Sequence, residues 1–174
     1  MTSVLFICSH VSYPIDTQNK GVDAAIEREY QERVDILQKD LSALGKDIDP
    51  DEARLAAETA IYFSMHLANE YNLVSPPLFH NFLVNLGMRQ KGLCFHWADD
   101  LMASLRSLKL KSFDLYWGVA YHESFLSRDH YSVVITAQGQ PFEDGIVLDA
   151  WRNSGKLCWA YVKEDKYPWK SIER

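Results

Sequence analysis

The chain is poor in cysteine, in long apolar runs and in positive charge. Three cysteines, Cys8, Cys94 and Cys158, are too few and too scattered for the disulfide framework of a small secreted domain. No apolar run approaches the length of a transmembrane helix, so we predict no integral membrane segment. The net charge of −6 disfavours nucleic acid as a partner. These absences predict a soluble enzyme or a soluble binding domain.

The cellular compartment stays open at the level of sequence. Val4-Leu5-Phe6-Ile7-Cys8 is apolar, but it is too short for a signal core and no basic residue precedes it. The protein is therefore either cytoplasmic or exported with a leader that is not evident in this chain. A bridge between Cys8 and Cys158 would form only in an oxidising compartment, and it would leave Cys94 free.

Helical periodicity dominates the first part of the chain and strand patterns the last. We predict an irregular N-terminal arm over residues 1–20 and a single domain over residues 21–174. The predicted helices are Val22–Leu44, Pro50–Ala68 with Asp49 as N-cap, Phe79–Leu86 and Cys94–Leu108. The predicted strands are Phe113–His122, His130–Ala137, Ile146–Trp151 and Lys156–Val162. Helices followed by strands imply an α+β fold, with N-terminal helices packed on a C-terminal antiparallel β-sheet.

Cys94 opens a predicted amphipathic helix directly after Gly92. A cysteine at a helix N-terminus lies where the helix dipole and the free N–H groups stabilise a thiolate. A thiolate becomes a catalytic nucleophile when a histidine and a carboxylate accompany it. No spacing among Cys94, His96, His122 and His130 matches the recurrent zinc-ligand patterns, so we predict neither a metal nor a cofactor.

His130 and Asp149 stand on the two strands that follow, and they can pair only if they share a face of the sheet. A hairpin centred on Gly139-Gln140 would place His130 directly opposite Asp149, with Cβ atoms about 4.5–5.5 Å apart. The sequence thus predicts a triad in which Cys94 attacks a carbonyl carbon, His130 transfers protons and Asp149 orients the imidazole.

The oxyanion of such a reaction needs donors close to the cysteine. The backbone N–H of Cys94 would supply one of them, at the helix start. Gln90, Asn81 and His96 are the candidates for a side-chain donor, and the sequence does not choose among them. Trp151 shares the strand face of Asp149 and is a candidate wall of the site.

These residues resemble a known superfamily. Gly92-Leu93-Cys94 entering a helix, His130 starting a strand and Val147-Leu148-Asp149-Ala150-Trp151 on the next strand are similar to the transglutaminase-like branch of the papain-like cysteine enzymes. The resemblance covers roughly residues 50–162. It implies a papain-like fold, with amide chemistry carried by Cys94, His130 and Asp149 as nucleophile, base and orienting acid. Met88 stands where papain has its glutamine oxyanion donor, so the chain departs from that pattern.

Two functions follow as hypotheses. The first is a cysteine-dependent hydrolase or acyltransferase that cleaves or exchanges an amide bond (peptide, isopeptide or glutamine-type) in a peptide, protein or cell-wall substrate. The alternative is a catalytically inactive papain-like scaffold that binds a peptide or protein. An enzyme needs an open cleft with the Cys94 sulfur near His130, whereas a scaffold does not. The long first helix is apolar on one side, which makes it a candidate homodimer surface, although packing within the domain is the default.

Overall fold

The computed structural model describes residues 20–121 and 129–173. In this part of the chain, helices precede strands: α1 Lys20–Ser42, α2 Pro50–Glu70, α3 Pro77–Asn85, α4 Cys94–Ser107, β1 Phe113–Ala120, β2 His130–Ala137, β3 Ile146–Asp149, β4 Cys158–Tyr161 and β5 Trp169–Ile172. A short 3-10 helix, Phe142–Asp144, lies between β2 and β3. None of the described helices is both long and apolar enough to cross a membrane. The predicted α+β class is confirmed.

The helix α2 begins where the sequence predicts, because its cap is local. The Asp51 N–H donates to Asp49 Oδ1 at 2.9 Å, and Pro50 occupies the first position, where its missing N–H costs no helical hydrogen bond. The small side chains of α2 are fully buried and allow close helix packing: Ala53, Ala56, Ala57 and Ala60. The helix α1 packs on α2, α2 packs on α4, and α4 packs on β1 and β2.

The first helix differs from its prediction at both ends. It spans Lys20–Ser42 rather than Val22–Leu44, so Lys20 belongs to α1 and not to an irregular arm. The rest of the predicted arm, residues 1–19, lies outside the described residues. Val34, Leu37 and Leu41 are fully buried, as their spacing predicts, whereas Ile26 of the same stripe is 45% exposed. The homodimer surface stays a prediction.

The five strands form one antiparallel sheet in the order β4-β3-β2-β1-β5. The edge strand β5 was not predicted. It pairs with β1 so that Trp169 faces Ala120 and Ile172 faces Trp117. The predicted bounds of β2, His130–Ala137, are confirmed. The strands β1, β3 and β4 are shorter than predicted: β1 ends at Ala120, β3 ends at Asp149, and β4 spans Cys158–Tyr161. The next residue after β1, Tyr121, has φ +65, which is incompatible with continuing the strand.

The register of β2 against β3 differs from the predicted hairpin by two residues. Val133 faces Leu148, where the predicted centre would have placed Ile146 opposite it. The predicted register was wrong because the connection contains a 3-10 turn, Phe142–Asp144, in addition to a tight turn at Gln138-Gly139. A shift of two residues keeps every side chain on its predicted face. Asp149 is therefore a diagonal rather than a direct neighbour of His130.

The two faces of the sheet are covered differently. Val133, Ile135 and Leu148 belong to the main core, which they share with α1, α2 and α4. Val134 and Val147 point to the other face, into a smaller cluster with Phe142 and Trp169. By strand alternation, His130 and Asp149 lie on this second face. The sheet thus carries an apolar core on one side and a polar site at the end of the other.

Candidate active site

A tight backbone turn delivers Cys94 to the start of α4. Gly92 has φ +127, and a Cβ atom at this position would lie 2.2 Å from His80 Nε2. The buried His80 ring is held by the backbone: the Val74 N–H donates to its Nδ1 at 3.2 Å, and its Nε2 donates to the Lys91 carbonyl at 2.9 Å. Only glycine fits this turn, so the residue before Leu93-Cys94 is fixed by close packing as well as by φ.

His96, one of the candidate oxyanion donors, caps the helix that Cys94 begins. The N–H groups of Gly92 and Leu93 both donate to His96 Nδ1 at 3.2 Å. His96 Nδ1 is therefore an acceptor and cannot donate to an oxyanion. The N–H groups of Gly92 and Leu93 are already engaged by this ring. The N–H of Cys94 lies in the first turn of α4, where an N–H has no intrahelical acceptor.

His130 and Asp149 form a buried pair at the other side of the sulfur. His130 Nε2 lies 2.6 Å from Asp149 Oδ2, and the two side chains are 8% and 1% exposed. The Cys94 sulfur interacts with the same imidazole and contributes to its pKa shift, and it lies 3.7 Å from the carbonyl oxygen of Asp129, just before β2. Since Nε2 faces the carboxylate, Nδ1 is the ring nitrogen left for the sulfur. The structure brings Cys94, His130 and Asp149 together in the predicted order.

The electrostatics of this site favour a protonated imidazole. Burial alone would lower the pKa of His130, but its hydrogen bonds with Asp149 and Cys94 raise that pKa to about 9. A cation at this position stabilises a negative charge on the neighbouring sulfur. The arrangement therefore places a protonated imidazole beside the Cys94 sulfur.

The sequence prediction missed the group behind Asp149. Arg152 donates from Nε to Asp149 Oδ2 at 3.0 Å, and its two terminal nitrogens donate to both oxygens of Asp165 at 3.1 and 2.6 Å. Asp149 Oδ1 accepts from the backbone N–H groups of Trp151 and Arg152 at 3.1 and 3.0 Å. Four ionisable side chains thus alternate in sign: His130, Asp149, Arg152, Asp165. Each buried charge has a partner, which burial requires.

Aromatic rings enclose His130 on its remaining sides. The ring centroids of Trp151, Tyr167 and Trp169 lie 5.0, 5.2 and 5.3 Å from that of His130. Trp169 reaches it because only the small Ala120 lies between them, facing His130 on one side and Trp169 on the other. Trp151 lines the cleft, but it lies in the turn after β3 and not on the predicted strand face. Tyr167 and Trp169 carried no periodic signal that the sequence analysis could use.

A cleft of about 630 Å³ opens above the sulfur. Its described lining comprises Leu78, Asn81, Phe82, Asn85, Leu93, Cys94, Phe95, Tyr121, Asp129, His130, Trp151 and Tyr167. Asn81 is in this cleft, and its Oδ1 accepts from Trp151 Nε1 at 3.1 Å. Because an indole N–H can only donate, the amide oxygen of Asn81 faces Trp151, and its NH₂ group is the part left for a ligand. Gln90 lines a separate depression together with Tyr71 and Arg89.

Within residues 20–121 and 129–173, no three His, Cys, Asp or Glu side chains are grouped closely enough to hold a metal ion. His122, considered above as a zinc ligand, lies outside these ranges. Both described cysteines, Cys94 and Cys158, are free and half-buried. Cys8 lies outside the described residues, so its bridge to Cys158 stays an untested alternative.

Comparisons with protein-family models, with curated proteins and with solved structures find no match to this chain.

Proposed function

We propose that this protein is a cysteine-dependent hydrolase or acyltransferase of papain-like, transglutaminase-like architecture, acting on an amide or thioester bond through Cys94, His130 and Asp149. The observation that carries the proposal is one imidazole between a sulfur and a carboxylate: His130 interacts with Cys94 and lies 2.6 Å from Asp149, beside an open cleft. A thiol nucleophile requires this arrangement, whereas a non-catalytic scaffold does not.

The first half of the reaction forms an acyl-enzyme. The Cys94 thiolate attacks the carbonyl carbon, a C–S bond forms, and the carbonyl oxygen becomes an oxyanion. When the tetrahedral intermediate collapses, the bond to the leaving amine breaks and the His130 imidazolium gives its proton to that amine. A thioester on Cys94 and a neutral His130 result.

The second half uses the same groups in reverse. Neutral His130 takes a proton from water or from an acceptor amine, whose oxygen or nitrogen attacks the thioester carbon. The C–S bond breaks, releasing an acid or a new amide and restoring the thiolate–imidazolium pair. Water as acceptor makes the enzyme a hydrolase, and an amine makes it an acyltransferase.

Two donors are available for the oxyanion. The backbone N–H of Cys94 is at the start of α4, and the NH₂ group of Asn81 is in the same cleft. His96 is unsuited to this role at Nδ1, which accepts from the turn before the helix. Gln90 lies in the other depression. Asn81 is therefore the side-chain donor that we propose.

Alkylation by iodoacetamide tests the proposal, with sites located by peptide mapping. Cys158 serves as the internal control, because burial raises the pKa of its thiol. At about pH 6 we expect Cys94 to react roughly 100-fold faster in the wild type than in His130→Ala, since an ordinary thiol with a pKa of about 8.5 is almost fully protonated there. A slow Cys94 reaction at this pH, unchanged by the substitution, would contradict the thiolate–imidazolium pair and favour the binding scaffold.

A further inference from the structure

One face of α3 borders the candidate active site. Leu78, Asn81, Phe82 and Asn85 follow one another at helical spacings of three and four, and all four line the cleft that holds Cys94. This face alternates apolar side chains with carboxamides. Leu78 is 72% exposed and Phe82 is 55% exposed. Large apolar side chains so close to a reactive sulfur remain accessible from the cleft.

The exposed apolar surface is concentrated at this end of the molecule. Five of the eight exposed large hydrophobic side chains in the described ranges lie on or just after α3: Leu78, Phe79, Phe82, Leu86 and Met88. Single exposed hydrophobic residues are ordinary, whereas a contiguous group beside a cleft is typical of a ligand-binding surface. The group continues into the cleft through Leu78 and Phe82, not away from it.

The charge of the described lining points the same way. It contains no lysine or arginine, and its one carboxylate, Asp129, accepts from the Tyr131 hydroxyl at 2.9 Å. The protonated His130 of this lining is already paired with Asp149, so a ligand carboxylate or phosphate would find neither a lysine nor an arginine within the described lining, and the chain as a whole carries a net charge of −6. The polar groups available to a ligand are the carboxamides of Asn81 and Asn85, which suit uncharged amides.

Building on the proposed function, we infer that the acyl donor is uncharged and carries a bulky apolar side chain, aromatic or branched aliphatic, next to the scissile carbonyl. The side chain packs on Leu78 and Phe82, at the wall facing the cleft. The amide groups that flank it hydrogen-bond with Asn81 and Asn85. Donors with a carboxylate next to the carbonyl are disfavoured, because the described lining offers them no lysine or arginine and its protonated His130 is already paired with Asp149.

Three alkylating probes of one chemistry test this inference on the full chain. Iodoacetamide, N-benzyl iodoacetamide and N-(carboxymethyl) iodoacetamide all form a thioether as the sulfur displaces iodide, and they differ only in the amide substituent. The rate at Cys94 with each substituted probe is divided by the rate with iodoacetamide, which cancels the intrinsic reactivity of the thiolate. We expect the benzyl ratio to exceed the carboxymethyl ratio roughly tenfold, as burial of an apolar group in a fitted pocket gives.

Variants of α3 locate the effect. Leu78→Ala and Phe82→Ala are each expected to lower the benzyl ratio severalfold. Leu86→Ala is the matched control and should leave the ratio unchanged, because Leu86 is as exposed as Phe82 but does not line the cleft. Equal benzyl and carboxymethyl ratios, or a benzyl preference that Phe82→Ala and Leu78→Ala leave intact, would overturn the inference. A failure of the proposed function would give a different result: iodoacetamide itself would alkylate Cys94 slowly, and His130→Ala would not change that rate.

Discussion

Cys94 and Cys158 are alike in exposure and differ in their surroundings. Both are free and half-buried, and both lie near the pair that Asp149 forms with His130. Cys158 faces Asp149 directly across β3 and β4, and burial together with this negative charge raises the pKa of the Cys158 thiol. At Cys94 the imidazole of His130 stands between the sulfur and the same carboxylate. One carboxylate thus opposes ionisation of one thiol and supports a cation beside the other, and the intervening group decides which.

The largest expected effect comes from removing the turn that delivers Cys94. Gly92→Ala places a Cβ 2.2 Å from His80 Nε2 at φ +127, so we expect a loss of at least about 3 kcal/mol in the free energy of unfolding, measured by chemical denaturation. Gly87→Ala is the matched control, since its φ is +72 and no atom lies within 4 Å of the added Cβ. The control costs only about 1 kcal/mol. Equal losses would contradict the role of His80 packing.

Asp149→Asn sharpens the comparison because its effects on the two thiols have opposite signs. Alkylation of Cys94 at about pH 6 falls roughly tenfold, since the pKa of His130 drops without the carboxylate. Alkylation of Cys158 at about pH 8 rises about threefold, since the opposing negative charge is gone. Both rates come from one peptide digest. Unfolding would instead accelerate both cysteines at the higher pH, and Asp144→Asn, at an exposed pair with Lys163, should change neither.

Arg152→Lys tests the clamp behind Asp149 with a smaller change. The lysine keeps the charge but cannot bind Asp149 and Asp165 together, so we expect Cys94 alkylation to fall roughly threefold. The pKa of His130, followed by NMR titration, should stay above its ordinary range because Asp149 remains. The control is Arg54→Lys, where an exposed arginine also bridges two carboxylates. A loss in the control equal to that in Arg152→Lys would refute a positioning role for Arg152.

The last prediction is a pH dependence of the free energy of unfolding. The pKa of His130 is raised to about 9 in the folded protein, above the ordinary value of about 6.5. The stabilisation it contributes is fully present below about pH 6.5 and is lost as the pH rises through the folded-state value, with a slope of at most about 1.4 kcal/mol per pH unit. Cys94→Ala is the suitable background, because it removes proton exchange by the thiol. The slope should disappear in Cys94→Ala/His130→Gln, and its persistence there would assign it to another group.

The parts of the fold that the sequence predicted are those with local causes. The Asp49-Pro50 start of α2 and the apolar stripe of α4 depend on neighbours within a turn or two. The edge strand Trp169–Ile172 escaped prediction because it is four residues long and gains its regular structure from pairing with β1. The β2–β3 register was off by two residues because a 3-10 turn has no periodic signature.

The candidate site divides in the same way. Cys94, His130 and Asp149 could be predicted from their residue types, their order in the chain and the alternation of side chains along the strands. An error of two residues in the register leaves each side chain on the same face of the sheet, so this prediction did not depend on the exact pairing. The separation of Gln90 from Asn81 could not be foreseen, since it depends on where α3 packs relative to the turn before Cys94. The cap formed by His96 Nδ1 was equally hidden, although its position three residues after Leu93 is a capping spacing.

The sequence by itself determined the four helices, the strands β1 to β4 in outline and the shared face of His130 and Asp149, because each follows from periods of two or of three to four residues. The glycine turn ahead of Cys94 follows from residue type. Tertiary structure alone decided what surrounds them. Arg152 and Asp165 meet behind Asp149, Trp169 crosses Ala120 to reach His130, and α3 lays its apolar face along the cleft. These contacts join residues from separate elements, and no local pattern encodes distances that only packing of the whole chain sets.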